Sequence, residues 1–272
     1  MSNKHQVKLG AFFADHPVFT LDEVASFAAQ RLSPAAVTAR LSYATRTGRI
    51  RSISRGIYVV TPPGRSALTT HVDPFLVALA ARPDAIFSHH SALELLGAAH
   101  SAWSTCTLYC SGARMEWEFD GSSIRAVPHP TALARCAMTE LGTRRVERRG
   151  SIVRTTGPER TLIEGFRQPS LVGGVSELVA SAAGFATLDI DLLAKLLELY
   201  AIRRLWAAVG WFLEVNAQSF AVSEADLLRF EQHRPNAPQY LVRATRGGNF
   251  IARWNLVLPQ EIGKGDPDVG ES

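Results

Sequence analysis

Residues 20–60 read TLDEVASFAAQRLSPAAVTARLSYATRTGRIRSISRGIYVV, which predicts two helices joined by a turn and followed by a β-hairpin. Thr20 is a favourable N-cap for the first helix, and Glu23, three residues later, completes a capping box. Ser33 is a favourable N-cap for the second helix, and Pro34 occupies its first position, where the missing N–H costs nothing. This order of elements predicts a winged helix-turn-helix.

The solvent face of the second helix indicates what it binds. Val37, Leu41 and Ala44 form its inward stripe, and at about 100° per residue the opposite face carries small and polar side chains. Small residues let a helix enter the major groove, which is about 12 Å wide, so that hydroxyls and arginines reach bases or phosphates. We predict DNA contacts at Ser33, Ala35, Thr38, Ala39, Arg40, Ser42, Tyr43 and Arg46 of the helix, and at Arg49, Arg51 and Arg55 of the wing.

Within this set the residue types predict different tasks. The small and hydroxyl side chains, Thr38 and Ser42 among them, face bases, whereas Arg40, Arg46 and the wing arginines meet phosphates. The alternative is a small helical domain with an ordinary solvated basic surface. Agreement between caps, spacing, wing and charge favours the DNA-binding interpretation.

The distribution of charge agrees with this prediction. The chain of 272 residues has a net charge of +4. Residues 1–70 contain nine Lys/Arg and three Asp/Glu. The whole excess of positive charge therefore lies in the segment for which we predict a winged helix. Such an asymmetry suits phosphate contact and steering toward DNA.

Composition also predicts the cellular setting. No apolar run approaches the roughly 18 residues of a membrane span, and the N-terminus has no apolar signal-peptide core. We expect a cytoplasmic protein that does not contact membranes. Three cysteines without a CxxC motif predict free thiols in a reducing compartment.

The remaining sequence predicts a second, larger domain. The fold class is therefore α+β, an N-terminal winged helix-turn-helix domain (1–62) followed by a mixed α+β C-terminal domain (71–260), with a Pro/Gly-rich hinge at 61–70 and a disordered tail at 263–272. Predicted helices lie near 4–16, 74–82, 88–97, 158–166, 171–184, 189–209 and 224–233, with Gly210 as the weak point of the sixth. Predicted strands lie near 105–110, 123–127, 138–145 and 151–155, and residues 240–259 predict a hairpin that turns at Gly247 and Gly248.

The motifs of enzymes are largely missing. There is no GxSxG, no glycine-rich phosphate loop and no HExxH, and the His and Cys residues lack zinc spacing, so we expect no enzymatic activity, no metal and no cofactor. A metal-dependent nuclease remains an alternative, because Glu116, Glu118 and Asp120 alternate in the C-terminal part. No lysine follows them, as the usual nuclease pattern would require.

A second basic segment lies far from the winged helix. RRVERR, residues 144–149, predicts an exposed hairpin strand, and alternation would place several guanidinium groups on one face. This candidate secondary patch contains Arg144, Arg145, Arg148, Arg149 and Arg154. It suits either DNA phosphates or an acidic partner, and the alternative is a solvated hairpin.

Three motifs in a fixed order resemble a known family. ISRGIYVV (53–60), SHHSALELLG (88–97) and GPERTLIEGF (157–166) together resemble AbiEi-type antitoxins of bacterial abortive-infection, type IV toxin–antitoxin systems. Each motif is short, and the resemblance depends on their order and spacing from about residue 9 to residue 258.

The resemblance implies a transcriptional autorepressor. Its winged helix, here 33–47 with the wing at 49–60, binds operator repeats near its own promoter, and the C-terminal domain counters a nucleotidyltransferase-like toxin. Direct contact with that toxin is left open, as is the choice between monomer and dimer. The alternatives are a winged-helix-targeted nuclease and a winged-helix protein-interaction module.

Overall fold

The computed structural model describes residues 9–66, 72–112, 114–242 and 247–262. Its first elements are α1 (Leu9–Asp15), β1 (Val18–Thr20), α2 (Leu21–Ala28), α3 (Pro34–Arg46), β2 (Ile50–Ser54) and β3 (Ile57–Val60). The strands form an antiparallel sheet in the order β1-β3-β2. The order α2, α3, β2 and β3 agrees with the sequence prediction, in which β2 and β3 form the wing, whereas strand β1 was not predicted.

The predicted caps are present. Thr20 Oγ1 accepts from the backbone N of Glu23 at 3.2 Å, and Glu23 Oε2 accepts from the backbone N of Thr20 at 2.6 Å. Ser33 Oγ accepts from Ala36 N at 3.3 Å, and Pro34 begins α3. Because these side chains satisfy N–H groups that a helix leaves unpaired, they determine where α2 and α3 begin.

The second group of elements forms a six-stranded mixed sheet with helices. It contains α4 (Pro74–Ala81), β4 (Ile86–Phe87), α5 (His90–Leu95), β5 (Thr105–Cys110), β6 (Met115–Phe119), β7 (Ser122–Pro128), α6 (Thr131–Arg135), β8 (Thr143–Arg148), β9 (Ser151–Thr156) and α7 (Pro158–Arg167). The strand order is β6-β7-β5-β4-β9-β8. Its central strands are buried, which fixes the positions of the helices that follow them.

The C-terminal elements are mainly helices, which pack around one another, together with three short strands. They are α8 (Val175–Ala182), α9 (Ile190–Tyr200), α10 (Arg203–Val215), α11 (Glu224–Glu231), β10 (Gln239–Tyr240), β11 (Asn249–Ile251) and β12 (Leu256–Leu258). The three strands form a separate small sheet in the order β10-β12-β11. The fold class is α+β, as predicted.

The N-terminal unit packs against the larger part of the chain. Val59 of β3 shares a hydrophobic cluster with Val72 and with Phe75 of α4. Arg51 of β2 binds Asp120 in the turn between β6 and β7. The predicted domain boundaries stay predictions. Residues 67–70 of the hinge, residues 4–8 of the first predicted helix and the tail at 263–272 lie outside the described residues.

Several predicted elements are wrong. Residues 115–119, which lie between the predicted strands 105–110 and 123–127, form a further strand, β6. Gly210 lies within α10, and the helix break comes instead at Ala201 and Ile202. Residues 240–259 do not form the predicted hairpin, because β10 pairs in parallel with β12 and the antiparallel pair is β11 with β12. Residues 138–142 precede β8 and are not part of it.

Candidate nucleic-acid interface

The outward face of α3 is exposed, as predicted from its periodicity. Val37, Leu41 and Ala44 are buried against the N-terminal core. The predicted DNA-contacting residues divide into exposed ones (Ser33, Ala35, Thr38, Ala39, Ser42, Tyr43, Arg46, Arg49 and Arg55) and half-buried ones (Arg40 and Arg51). The predicted contact set therefore lies on solvent-facing surface for the most part.

Tyr43 and Arg46 are the most prominent side chains of this face. Tyr43 is 58% exposed, and the guanidinium carbon of Arg46 lies 5.5 Å from the centroid of its ring. No carboxylate within the described ranges forms an ion pair with Arg46. Because its charge is not neutralised by a neighbour, Arg46 is available to a phosphate.

The hydroxyl groups of the face also have defined positions. Thr38 Oγ1 donates to the carbonyl of Pro34 at 3.1 Å, which is a bond within the helix, and Ser33 is occupied as the N-cap. The Thr38 oxygen keeps its acceptor capacity toward solvent. Thr38 and Ser42 therefore present hydroxyl groups on the exposed face of α3, whereas the Ser33 hydroxyl mainly determines where the helix begins.

The wing arginines are not equivalent. Arg55 is exposed in the tight turn between β2 and β3, where Gly56 has a φ of +79°, and no described carboxylate pairs with it. Arg49 lies over α1, with its guanidinium carbon 5.9 Å from the centroid of the Phe13 ring. Arg55 thus projects from the tip of the wing, and Arg49 is displaced toward the first helix.

Arg51 is engaged by the larger part of the chain. Its Nη1 donates to Asp120 Oδ1 at 2.8 Å, and a second bond joins Nη2 to Oδ2. This hydrogen-bonded pair raises the pKa of Arg51 above its ordinary value, although burial opposes the shift. In this structure Arg51 docks the wing on the β6–β7 turn, so the predicted phosphate contact requires that ion pair to open.

The second basic segment does not form a single patch. Across β8 and β9, Arg145 lies opposite Arg154, whereas Arg144 and Arg148 lie at alternate positions on the other face of the strand. Arg144 approaches Glu159 at 3.6 Å, and Arg154 donates to Glu140 at 2.8 Å.

Asp73 holds the other end of this hairpin. Its Oδ2 accepts from Arg148 at 2.9 Å and lies 3.2 Å from Nε of Arg149, while Arg148 also donates to Glu94 at 3.0 Å. Burial lowers the pKa of Arg148, but the bonds to Asp73 and Glu94 outweigh it and raise the pKa. Four of the five arginines of the segment therefore have carboxylate partners, and Arg145 is exposed without one among the described residues.

Residues 88–97 and 157–166, two of the motifs that carry the family resemblance, meet in the core, a contact that no short stretch of sequence indicates. Ser88 Oγ lies 2.9 Å from His89 Nδ1, and His89 Nε2 lies 3.5 Å from the hydroxyl of Tyr109. The guanidinium carbon of Arg160, from the later motif, is 5.4 Å from the centroid of the same Tyr109 ring. Burial lowers the pKa of His89 to about 4, so this imidazole is neutral at pH 7.

The network continues through α7 to α9. Arg160 Nε donates to Glu164 Oε1 at 2.7 Å, both side chains are fully buried, and the hydroxyl of Tyr200 also donates to Glu164. A buried ion pair with such additional bonds joins the helices around it. His89 occupies the N-cap position of α5 but makes no side-chain cap bond there. His89 has a positive φ of 56°, and the sequence does not predict this backbone conformation.

The carboxylates of the nuclease alternative hold arginines. Glu116 accepts from Arg125 at 2.7 Å and Asp120 accepts from Arg51, while Glu118 lies exposed on the edge strand β6. Within the described ranges, no group of three or more His, Cys, Asp or Glu is placed to hold a metal ion. None of the helices in the described part is both long and apolar enough to span a bilayer.

Comparison with known proteins shows the fold. No protein-family model and no curated protein matches this chain. The structure resembles the crystal structure of the RV2827C protein from Mycobacterium tuberculosis, with a TM-score of 0.60 and 17% sequence identity over 92% of this chain and 89% of that chain. At this identity the likeness shows a shared fold, and it extends over nearly the whole of both chains.

Proposed function

We propose that this protein is a sequence-specific DNA-binding repressor that acts as the antitoxin of a type IV toxin–antitoxin system. The observation that carries the DNA-binding part is the exposed face of α3, where Tyr43 and Arg46 stand beside small residues and no described carboxylate neutralises the arginine. The resemblance of the three short motifs to AbiEi-type antitoxins supports the antitoxin part.

The dimensions of α3 suit a major groove. Its 13 residues make a rod of about 20 Å. Ala35 and Ala39 keep the exposed face narrow, so that backbone and bases approach closely, and Thr38 and Ser42 meet base edges. Arg46 and the wing-tip Arg55 bind phosphates on either side, which fixes the register of the helix.

The larger part of the chain is assigned the antitoxin task. We infer that it opposes a nucleotidyltransferase-like toxin in the cytoplasm, and the proposal assigns no catalytic step to it. Direct contact with the toxin is not required by the proposal. The winged helix then regulates transcription of the pair by binding repeats upstream of its own gene.

A footprint on the upstream promoter region tests the proposal. The expected result is a discrete protected region over repeats, which is lost when Arg46→Ala and Arg55→Ala are combined. Arg229→Ala is the matched control, because this exposed arginine lies on α11 with Asp191 as its partner. Diffuse binding that unrelated DNA competes away, or equal loss with Arg229→Ala, would overturn the DNA-binding part.

The antitoxin part has a separate test. Co-expression with a nucleotidyltransferase-like toxin of a type IV system is expected to restore growth that the toxin alone arrests. Rescue by the Arg46→Ala/Arg55→Ala variant under an unrelated promoter is expected too, since neutralisation is assigned to the larger part of the chain. Continued growth arrest with the wild-type protein would reject the antitoxin role.

A further inference from the structure

Two arginines of the winged helix lie over aromatic rings. The guanidinium carbon of Arg46 is 5.5 Å from the centroid of the Tyr43 ring, and that of Arg49 is 5.9 Å from the centroid of the Phe13 ring. The face of an aromatic ring attracts a cation, although the ring has no net charge. Such a ring therefore holds an arginine in place without neutralising it, whereas a carboxylate does both.

The backbone of α3 brings Tyr43 and Arg46 together. The two residues are three positions apart, so their side chains lie on the same side of the helix. Long side chains of a helix lean toward its N-terminus, so Arg46, in the last turn, reaches back over the turn that carries Tyr43. Tyr43 is 58% exposed whereas Phe13 is buried, so of the two pairs only this one can be tested without disturbing the core.

Threonine hydroxyls tie down the helix end that carries this pair. Thr45 Oγ1 donates to the carbonyl of Leu41 at 2.9 Å, and Thr47 Oγ1 donates to the carbonyl of Tyr43 at 3.0 Å. The backbone N of Thr47 donates to the same Tyr43 carbonyl, also at 3.0 Å. The final turn, which carries Arg46, is therefore joined to Tyr43 by the backbone as well as by the contact between the side chains.

A stacked arginine is better prepared for a phosphate than a free one. Arginine binds phosphate oxygens through a planar fork of N–H donors, so the direction of its guanidinium group matters. A free arginine side chain has many rotamers, and fixing one of them on binding costs conformational entropy. The ring of Tyr43 restricts the rotamers of Arg46 before DNA arrives. Because no carboxylate in the described ranges pairs with Arg46, its charge is kept for the phosphate.

We propose that Tyr43 is a positioning residue for Arg46 and that the stacked pair binds the DNA backbone as one unit. The ring of Tyr43 holds the guanidinium group, and the guanidinium group binds a phosphate. The inference rests on the DNA-binding function proposed above and identifies what prepares one of its phosphate contacts. Because the phosphate is the same in every duplex, the contribution of Tyr43 does not depend on DNA sequence. Its hydroxyl group has no part in that contribution.

A double-mutant cycle with the full-length protein tests the proposal. Fluorescence anisotropy measures binding to the upstream promoter region and to an unrelated duplex of equal length at low salt. Tyr43→Ala is expected to weaken binding to both duplexes by about 2- to 5-fold, the range of an exposed cation–π contact. In the Arg46→Ala background the same substitution is expected to have no effect, because the guanidinium group that Tyr43 holds is gone.

Two control variants and one measurement without DNA accompany the cycle. Tyr43→Phe keeps the ring and is expected to bind both duplexes as wild type does. Tyr240→Ala is the matched control, because it removes a tyrosine that is 47% exposed and lies outside the winged helix, and it is expected to leave binding unchanged. In the free wild-type protein, NMR is expected to show nuclear Overhauser contacts between the Tyr43 ring protons and the δ protons of Arg46.

Three results would overturn the positioning role and leave DNA binding in place. The first is wild-type affinity of Tyr43→Ala. The second is an equal loss on Tyr43→Ala with and without Arg46, which would assign Tyr43 a direct contact with DNA. The third is a loss on Tyr43→Phe as large as on Tyr43→Ala, which would assign that contact to the hydroxyl group. Failure of wild type to bind either duplex, with the Overhauser contacts present, would instead overturn the DNA-binding function and the positioning role with it.

Discussion

Two arginine-rich surfaces of this protein differ in what surrounds their charges. On α3 and the wing tip, Arg46 and Arg55 have no described carboxylate partners and are exposed. In the β8–β9 hairpin, Arg148 and Arg154 bind carboxylates. The density of arginine in the sequence is higher in the hairpin, yet only Arg145 of its five arginines lacks a described carboxylate partner, whereas Arg46 and Arg55 both lack one. A cluster of like charges in a sequence is therefore a poor measure of surface potential.

The difference arises because the partners come from distant parts of the chain. Asp73 and Glu94, which hold Arg148, precede it by more than fifty residues. The N-terminal segment has few acidic residues of its own, and one of them, Glu23, is used in a capping box. Long-range ion pairs thus convert the hairpin into a structural element and leave α3 available for a ligand.

We predict that Asp73 contributes more to stability than any other carboxylate that binds the arginines of the hairpin. Asp73 is 4% exposed, accepts from Arg148 and caps α4 by accepting from Phe75 N at 3.0 Å. Asp73→Ala should lower the free energy of unfolding by at least about 2 kcal/mol, since a cap contributes about 1 kcal/mol and an orphaned charged bond costs at least about 1 kcal/mol more. Urea denaturation measures this change.

Asp191→Ala is the matched control for that prediction. Asp191 is 88% exposed and pairs with Arg229, so its removal should cost less than about 1 kcal/mol. If Asp73→Ala and Asp191→Ala unfold at the same urea concentration, the hairpin arginines are not structurally engaged and the comparison fails.

Substitutions of the α3 hydroxyls should lower the affinity for the operator while leaving the affinity for random DNA nearly unchanged. Thr38→Ala and Ser42→Ala each remove a group that we assign to base edges, so binding to the operator should fall by about 1 kcal/mol, or roughly 5-fold, with little change on random DNA. Competition binding with operator variants measures the preference. A uniform loss on all duplexes would assign these residues to the phosphate backbone instead.

Substitutions at the Arg51–Asp120 pair should have the smallest effect on the affinity for duplex DNA. Asp120→Asn should release Arg51 to a phosphate, strengthening duplex binding by about 2- to 5-fold and making it more sensitive to salt. In wild type, Arg51→Ala should change binding less than about 2-fold because the side chain is already engaged. A large loss with Arg51→Ala would show that the ion pair opens readily in the DNA complex.

The local features of the winged helix were readable from the sequence. Caps at Thr20 and Ser33 and the proline that begins α3 act over a few residues, so a short window predicts them. The exposed face of α3 followed from the same periodicity. Which arginines are neutralised did not, because Asp120 reaches Arg51 across 69 residues.

The errors elsewhere have the same origin. Gly210 reads as a helix breaker, but a Cβ there would lie 2.2 Å from the Trp254 ring, so the glycine admits that ring against α10. Strand β6 alternates charged residues on one edge of the sheet and reads as a connection. The pairing of β10 with β12 depends on a contact beyond any short window. In each of these three places, packing partners that are distant in the sequence determine the local structure.

The salt dependence of duplex binding tests the central claim most directly. Dissociation constants on the upstream promoter region would be measured over a range of salt concentrations for wild type, Arg46→Ala/Arg55→Ala and Arg145→Ala/Arg154→Ala. We predict that the first double substitution reduces the slope of log K against log salt by about 2, since each phosphate contact contributes about 0.9, and that the second leaves it unchanged. A reduced slope for the hairpin variant with an unchanged slope for the α3 and wing variant would contradict the account.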